Sequence, residues 1–517
     1  MKKGLKRSYV TISLMIAATL FSKALGMVRG MMLAWTMGDS VEAVAFAAAS
    51  KIPCAIFDLL FSAAILGCFI PVYNEARERS KKSAYEYSCA FLGAVTLVSA
   101  LFALLGVLFA PHIIALVSPK ISAEAASLAA ALLRIMFPMM VFTALAYTLT
   151  GILQSLEKFL LPAAISALSN GAVIAYIVIA RERFSVYALS AVFVLSWFLQ
   201  FFTLAIPLVF SKQMPYPSLK LSNEYLIRSA KTAPKIMAGS WLAPASVLIA
   251  SFFSSFVSDI TFVAYDYSVG LYTIISGIAV YGVGNFVFPS LSRLAAANDE
   301  EGFSRSARKA VFSIMLIILP VFAATFSLSY EGIALLYLRN NFTEELAKTC
   351  ALSLSTLSLS MPAYALSEIF YRTFYASGKV RAPMYATFFA IGSCIVFNAV
   401  LLFGFDAGLF GISLSYTAAQ YVYAAAMALQ GRKLLPRVFR CAGKKSANLL
   451  IAGFMSLASM ALLRKMIPVF SGINETFAIF LKIAIVFTIG LVIYLLYIFI
   501  TRTLSDANVF GERGERI

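Results

Sequence analysis

Residues 9–36 read YVTISLMIAATLFSKALGMVRGMMLAWT. A helix needs about 20 apolar residues to cross the hydrocarbon core of a bilayer, and this run is longer than that. It follows the basic start Met1-Lys-Lys-Gly-Leu-Lys-Arg7, which a secretory signal peptide would share. The apolar sequence, however, continues through Ala34 and Trp35, past any short signal core, so the stretch is expected to be a retained first span. Two cations, Lys23 and Arg29, lie deep inside it.

The rest of the chain has the same character. Its 517 residues are 61% hydrophobic and 13% charged, with a mean hydropathy of +0.87, whereas soluble domains carry about 25% charged residues. So little charge cannot cover a water-soluble surface of this size, and a single soluble core stops growing at roughly 250–300 residues. The net charge of +18 is spread in short clusters between apolar runs, which is a topology signal; no nucleic-acid partner is expected. Cys54, Cys68, Cys89, Cys350, Cys394 and Cys441 form no C-x-x-C pair, and no disulfide or metal is inferred.

Stretches long enough to span fall at 9–36, 41–72, 86–111, 122–152, 159–180, 185–210, 225–257, 261–291, 307–329, 345–376, 383–404, 408–430, 446–466 and 474–501. The reading is therefore an all-α polytopic membrane protein of about fourteen transmembrane helices. Every second connection is basic, including Arg77, Arg79, Lys81 and Lys82, then Arg293, Arg305, Arg308 and Lys309, then Arg432, Lys433, Arg437 and Arg440. Because Lys and Arg accumulate in cytoplasmic loops, these loops and both termini are assigned to the cytoplasm.

The halves also echo one another. Gly67-Cys-Phe-Ile-Pro71 aligns with Asn285-Phe-Val-Phe-Pro289, Ile114-Ala-Leu116 with Ile333-Ala-Leu335, and Lys158-Phe-Leu-Leu-Pro162 with Lys379-Val-Arg-Ala-Pro383. The near-constant offset implies two pseudo-symmetric six-helix bundles, 1–218 and 219–440, around a central cavity. Two further helices occupy 441–503, and 504–517 is a cytoplasmic tail.

A charge at a helix centre costs roughly 2.5–3.5 kcal/mol unless it meets protein or water, so charges within spans mark the expected cavity. Ser22, Gly26 and Arg29 share a helix face, with Lys23 beside it. Lys51 and Asp58 share a face of the second span, with Pro53 between them; a structural ion pair with groups elsewhere and a ligand contact in the cavity both fit. Asp266 could balance a cavity cation or titrate. Lys231 and Lys235, with Arg228, start the seventh span at its cytoplasmic end, where they either snorkel or reach the cavity. Glu368 and Arg372 are spaced for a local salt bridge. The single histidine, His112, has no catalytic company, and no nucleotide-binding, metalloprotease or nucleophile motif is present, so the chain is not read as an enzyme and no cofactor is expected.

At Phe21-Ser-Lys-Ala-Leu-Gly-Met-Val-Arg29, Lys51-Ile-Pro53, Phe69-Ile-Pro-Val-Tyr73, Arg134-Ile-Met-Phe-Pro138, Gly151-Ile-Leu-Gln154, Phe288-Pro-Ser-Leu-Ser-Arg293 and Phe370-Tyr-Arg-Thr-Phe-Tyr375 the chain resembles the MurJ (MviN) family. These are lipid II flippases of the multidrug/oligosaccharidyl-lipid/polysaccharide exporter superfamily. The resemblance implies a V-shaped pair of bundles, a groove for the polyprenyl tail formed by the last two helices, and alternating access. It implies transport of the undecaprenyl-diphosphate-linked disaccharide-pentapeptide for peptidoglycan synthesis, in the bacterial cytoplasmic membrane. Arg29 matches a family arginine that faces the cavity, Lys23 stands where another is usual, and Lys51 occupies a basic position. Phe57 and Asp58 fall where relatives carry an arginine pair, Val44 where they carry an aspartate, and Gly270 near the place of an eighth-helix arginine.

Such a cargo suits the residues. A diphosphate needs cations in a low-dielectric cavity, which Lys23, Arg29 and Lys51 would supply. Outward movement of negative charge across an inside-negative membrane gains roughly 2.3 kcal/mol per charge per 100 mV, so no ATP is required and the coupling ion stays open. The expected partners are the lipid-linked glycan, membrane lipids and the cell-wall synthesis machinery, with the chain acting as a monomer. Three other readings compete: a flippase for another polyprenyl-linked oligosaccharide, a cation-coupled drug exporter of the same superfamily, for which Asp58 is the main available acid, and a membrane glycan polymerase or ligase, which the short outer loops disfavour.

Overall fold

A backbone in hydrocarbon must satisfy its polar groups internally, which leaves helices or closed barrels. A computed structural model of the chain describes residues 2–62, 65–438, 444–468 and 474–503. Among the described residues it contains twenty α-helices and no strand. They are α1 (Lys2–Met37), α2 (Val41–Phe57), α3 (Ile70–Arg79), α4 (Lys81–Leu108), α5 (Ala110–Val117), α6 (Ala123–Met136), α7 (Met139–Ser155), α8 (Leu160–Ala180), α9 (Val186–Phe210) and α10 (Glu224–Ala238), followed by α11 (Leu242–Ser254), α12 (Asp259–Ala296), α13 (Glu300–Ser327), α14 (Ser329–Tyr337), α15 (Glu344–Ser358), α16 (Met361–Ala376), α17 (Arg381–Ala399), α18 (Gly408–Leu434), α19 (Lys444–Met466) and α20 (Glu475–Ile500). The expected tail at 504–517 and Cys441 lie outside the described residues.

Local chemistry sets where helices begin. Ser40, Asn223, Asp299, Thr343 and Asn474 each accept a hydrogen bond from a first-turn N–H of the helix they precede, which satisfies otherwise orphaned donors. Predicted spans also break where the backbone demands it. Phe137 and Pro138 separate α6 from α7, with a 43° bend, and residues 239–241 separate α10 from α11, with a 55° bend. Past Pro53 the second span stays α-helical to Phe57, then widens into a π-helical stretch, Asp58–Ser62, followed by another at Ile65–Phe69. Such bulges re-aim side chains within a helix.

Each of the fourteen stretches expected from the sequence is helical in its described part. By length and composition, nine described helices can cross a membrane, or up to eleven if each bent pair is one span. Fourteen spans therefore stay an expectation of the sequence. By contacts the chain separates into two compact units. The first holds the described residues up to Val263 together with Asn340–Phe342; the second holds Ala264–Arg339 and the described residues from Thr343 on.

In the first unit α1 packs along α8, α2 against α6, and α9 against both α7 and α8. The α1–α8 seam is close because Ser22 and Gly26 are small: the Asn170 amide donates to the Ser22 carbonyl at 3.0 Å, and a Cβ on Gly26 would meet that amide at 3.4 Å. At the C-terminal end of α1, Asn341 donates its amide to the Thr36 carbonyl at 2.7 Å. The same residue packs its backbone carbonyl where a side chain on Gly38, at φ +55°, would stand.

In the second unit α19 and α20 pack on each other and on α13. Met460 and Val486 close a buried cluster with Ala323 and Leu328. Gly490 makes this approach possible, since any Cβ there would collide with the Met460 side chain. Gly490→Leu is expected to cost about 1–3 kcal/mol of stability through overpacking, seen as a lower melting temperature in detergent, with Met460→Ala in the same chain recovering part of it. An unchanged melting temperature would refute the packing role.

Candidate functional site

The charges singled out in the sequence are divided between the two units. Lys23, Arg29, Lys51 and Asp58 belong to the first unit, and Asp266 to the second. Lys23 and Arg29 are both half-buried on α1, six residues and hence about 9 Å of rise apart. The Ser22–Gly26 part of the stripe forms the seam with α8, because small residues draw backbones together. Arg29, further along, leaves that seam: its guanidinium carbon lies 5.6 Å from the centroid of the Phe193 ring on α9, a cation–π distance.

On α2, Lys51, Cys54 and Asp58 recur at three- and four-residue spacing, along one side of the helix. The charges of Arg29 and Asp58 both act on the Cys54 thiol, and that of Asp58 also acts on the Tyr147 hydroxyl. Arg29 and Asp58 thus lie within electrostatic reach of one thiol on α2. Asp58 is exposed, although 61% of the membrane-crossing window of its span is buried. Lys51 Nζ lies 5.1 Å from the centroid of the buried Phe262 ring.

Rings wall this region. Phe57 stacks on Phe61 at 5.7 Å and meets Tyr147 edge-on at 4.9 Å, and Tyr147 sits 6.3 Å from Trp197 at an interplanar angle of 32°. Trp241 holds the neighbouring backbone in place by donating its indole N–H to the Leu59 carbonyl at 2.8 Å, a group that the π-helical turn draws out of the regular ladder.

The remaining positions lie elsewhere. Lys231 is exposed on α10; Lys235 is on the same helix, but its side chain lies outside the described residues. Close by, Arg228 pairs with Glu75 at 2.6 Å and Arg79 with Glu224 at 3.0 Å, both exposed. In the second unit Asp266 acts electrostatically on Tyr337 and Cys350. Glu368 and Arg372 form the expected i, i+4 pair at 2.7 Å.

One charged group was not legible in the sequence. Glu331 on α14 is 6% exposed and its Oε1 takes Arg464 Nε at 2.8 Å and Lys482 Nζ at 3.2 Å, from α19 and α20. Its Oε2 is buried without a hydrogen-bond partner among the described residues. Arg464 is 133 residues from Glu331, so no local spacing announces the cluster. Among the described residues no group of His, Cys, Asp or Glu is placed to hold a metal ion.

Comparison with known proteins places this arrangement. A probable lipid II flippase MurJ from Buchnera aphidicola subsp. Schizaphis graminum is 25% identical over 421 residues, covering 80% of this chain and 81% of that protein. The lipid II flippase MurJ of Burkholderia cenocepacia is 26% identical over 406 residues, covering 76% and 77%. In fold the chain matches a lipid II flippase MurJ solved in an inward closed conformation, with a TM-score of 0.78 at 21% identity over 95% of this chain and all of that one. It also matches an inward-facing MATE-family transporter of the MOP superfamily, with a TM-score of 0.62 at 16% identity over 82% of this chain and 96% of that one. The family model described as lipid II flippase MurJ spans residues 33–480, from the end of the first helix into the last, and the chain belongs to that family.

Proposed function

We infer that this chain is a flippase that carries lipid II from the inner to the outer leaflet of the bacterial cytoplasmic membrane by alternating access, and so supplies peptidoglycan synthesis. The match of residues 33–480 to the lipid II flippase model carries the reading, and the half-buried cations Arg29, against Phe193 of α9, and Lys51, against Phe262 of α12, support it. Arg29 and Lys51, with Lys23 toward the inner end of α1, take the diphosphate; a cation in a low-dielectric interior holds an anionic oxygen strongly. Asp58 lowers the net positive charge of the region, which lets a bound diphosphate leave on the outer side. Asp266 and Lys231 act as secondary charges, the first as a charge-balancing or coupling group and the second at the cytoplasmic end.

Both termini are cytoplasmic, the chain works as a monomer without a cofactor, and membrane potential acting on the anionic headgroup supplies the driving force. Residues 1–218 and 219–440 are the two repeats, and 441–503 holds the two added helices. The polyprenyl tail runs along that helix pair while the headgroup crosses, and cell-wall synthases receive the product.

Depletion of the protein from a host lacking a second flippase is expected to abolish the appearance of lipid II at the outer leaflet, measured by accessibility to an externally added lipid II-cleaving toxin. Unchanged accessibility would rule out lipid II as the cargo.

A further inference from the structure

We propose that Tyr147 and Trp197 form a stacking platform for the sugar ring that follows the diphosphate, and so let the site read the glycan as well as the charge. The proposal rests on the reading that the cargo is a glycan on a polyprenyl diphosphate.

Trp197 points inward. On α9 the exposed residues Ala191, Leu195, Phe198 and Phe202 recur at three- and four-residue spacing and mark one face. At 100° per residue, Phe193, Trp197 and Gln200 fall on the opposite face, and Gln200 is buried at 3% exposure. The half-buried Trp197 ring therefore keeps its open surface toward the bundle interior, not toward lipid. There it meets Tyr147, also half-buried, whose back rests on the fully buried Phe57. The Tyr147 ring is thus backed by packed core.

Their polar atoms are unengaged. Buried Tyr hydroxyls and Trp N–H groups normally find a partner, and Trp241 does so at Leu59. Neither the Trp197 indole N–H nor the Tyr147 hydroxyl has a hydrogen-bond partner among the described residues. A pyranose supplies what this surface lacks. One ring face presents weakly positive C–H groups that match the negative face of an aromatic ring, while its hydroxyl and acetamido oxygens accept from an indole N–H and a phenol.

The spacing fits as well. Trp197 lies one helical turn, about 5.4 Å along the axis, from Phe193, the ring under Arg29. A diphosphate oxygen at Arg29 would set the directly attached hexosamine one turn along α9, over Trp197.

The test compares binding of three lipids to the full chain in nanodiscs: lipid II, undecaprenyl diphosphate with a single N-acetylglucosamine, and bare undecaprenyl diphosphate. Trp197→Leu is expected to weaken both sugar-bearing lipids about tenfold and to change the bare diphosphate less than about twofold, with Trp197→Phe recovering most of the loss and Tyr147→Leu repeating it. Equal losses for all three lipids, or no loss, would overturn the platform. Failure of the lipid II reading looks different: the unaltered chain would then hold the single-sugar lipid but not lipid II, and selective loss of that lipid in Trp197→Leu would still support the platform.

Discussion

Arg29→Ala is expected to lower lipid II translocation about ten- to a hundredfold, the loss that follows from removing a charge-assisted contact worth about 1.5–3 kcal/mol. The effect belongs to the cargo and not to the fold. Arg29 is half-buried on α1, its guanidinium covers Phe193, and its charge falls on the same side chain as that of Asp58. Alanine removes the cation and leaves the α1–α8 seam intact, since that seam is made by Ser22, Gly26 and Asn170. Arg29→Lys should fall between the two: it restores charge but loses the planar fork and the stacking on Phe193. The measurement is lipid II exposure in proteoliposomes, alongside a melting curve within a few degrees of the parent. Parental translocation by Arg29→Ala would remove this residue from the site.

Glu331→Ala is expected to destabilise the protein by about 3–5 kcal/mol, the cost of breaking a buried ion pair by deleting one partner. Arg464 and Lys482 would be left facing each other with the carboxylate that pairs with both gone, and Lys482 is itself buried. Glu331→Gln keeps the shape and one acceptor, so it should lose less. Replacing all three residues by apolar ones of similar size should recover much of the stability, because the cluster must offset a large desolvation cost of its own. Thermal unfolding in detergent reads the first effect, and protease sensitivity near α19 and α20 reads whether those helices have come off the second unit. Normal melting and normal protease resistance in Glu331→Ala would show that the ion pairs do not anchor them.

Single cations in long apolar runs can be read from sequence because the cost of placing them there is high and local. Lys23, Arg29 and Lys51 stood out for that reason, as did the i, i+4 pair of Glu368 and Arg372, whose geometry needs only one helix. The helix starts at Ser40, Asn223, Thr343 and Asn474 follow the same logic of near neighbours. Reading failed where the partner came from far along the chain. That Ser22 and Gly26 form a seam with α8 depends on Asn170, far along the chain, and no spacing within α1 announces it. Glu331 had no local signal at all, and neither did the pairing of Tyr147 with Trp197, since aromatic residues are common throughout such helices.

Sequence alone determined that this chain lives in a bilayer as a bundle of helices, and roughly where each helix runs, because hydropathy, backbone satisfaction and capping act over a turn or a span. It also exposed the cations that cost most to bury. Tertiary structure decided which faces became seams and which stayed open, where the two bends and the π-helical turns fell, and which rings and acids surround Arg29. Those choices depend on packing between helices distant in sequence, and the energy of such packing is carried by pairs of surfaces rather than by any one of them.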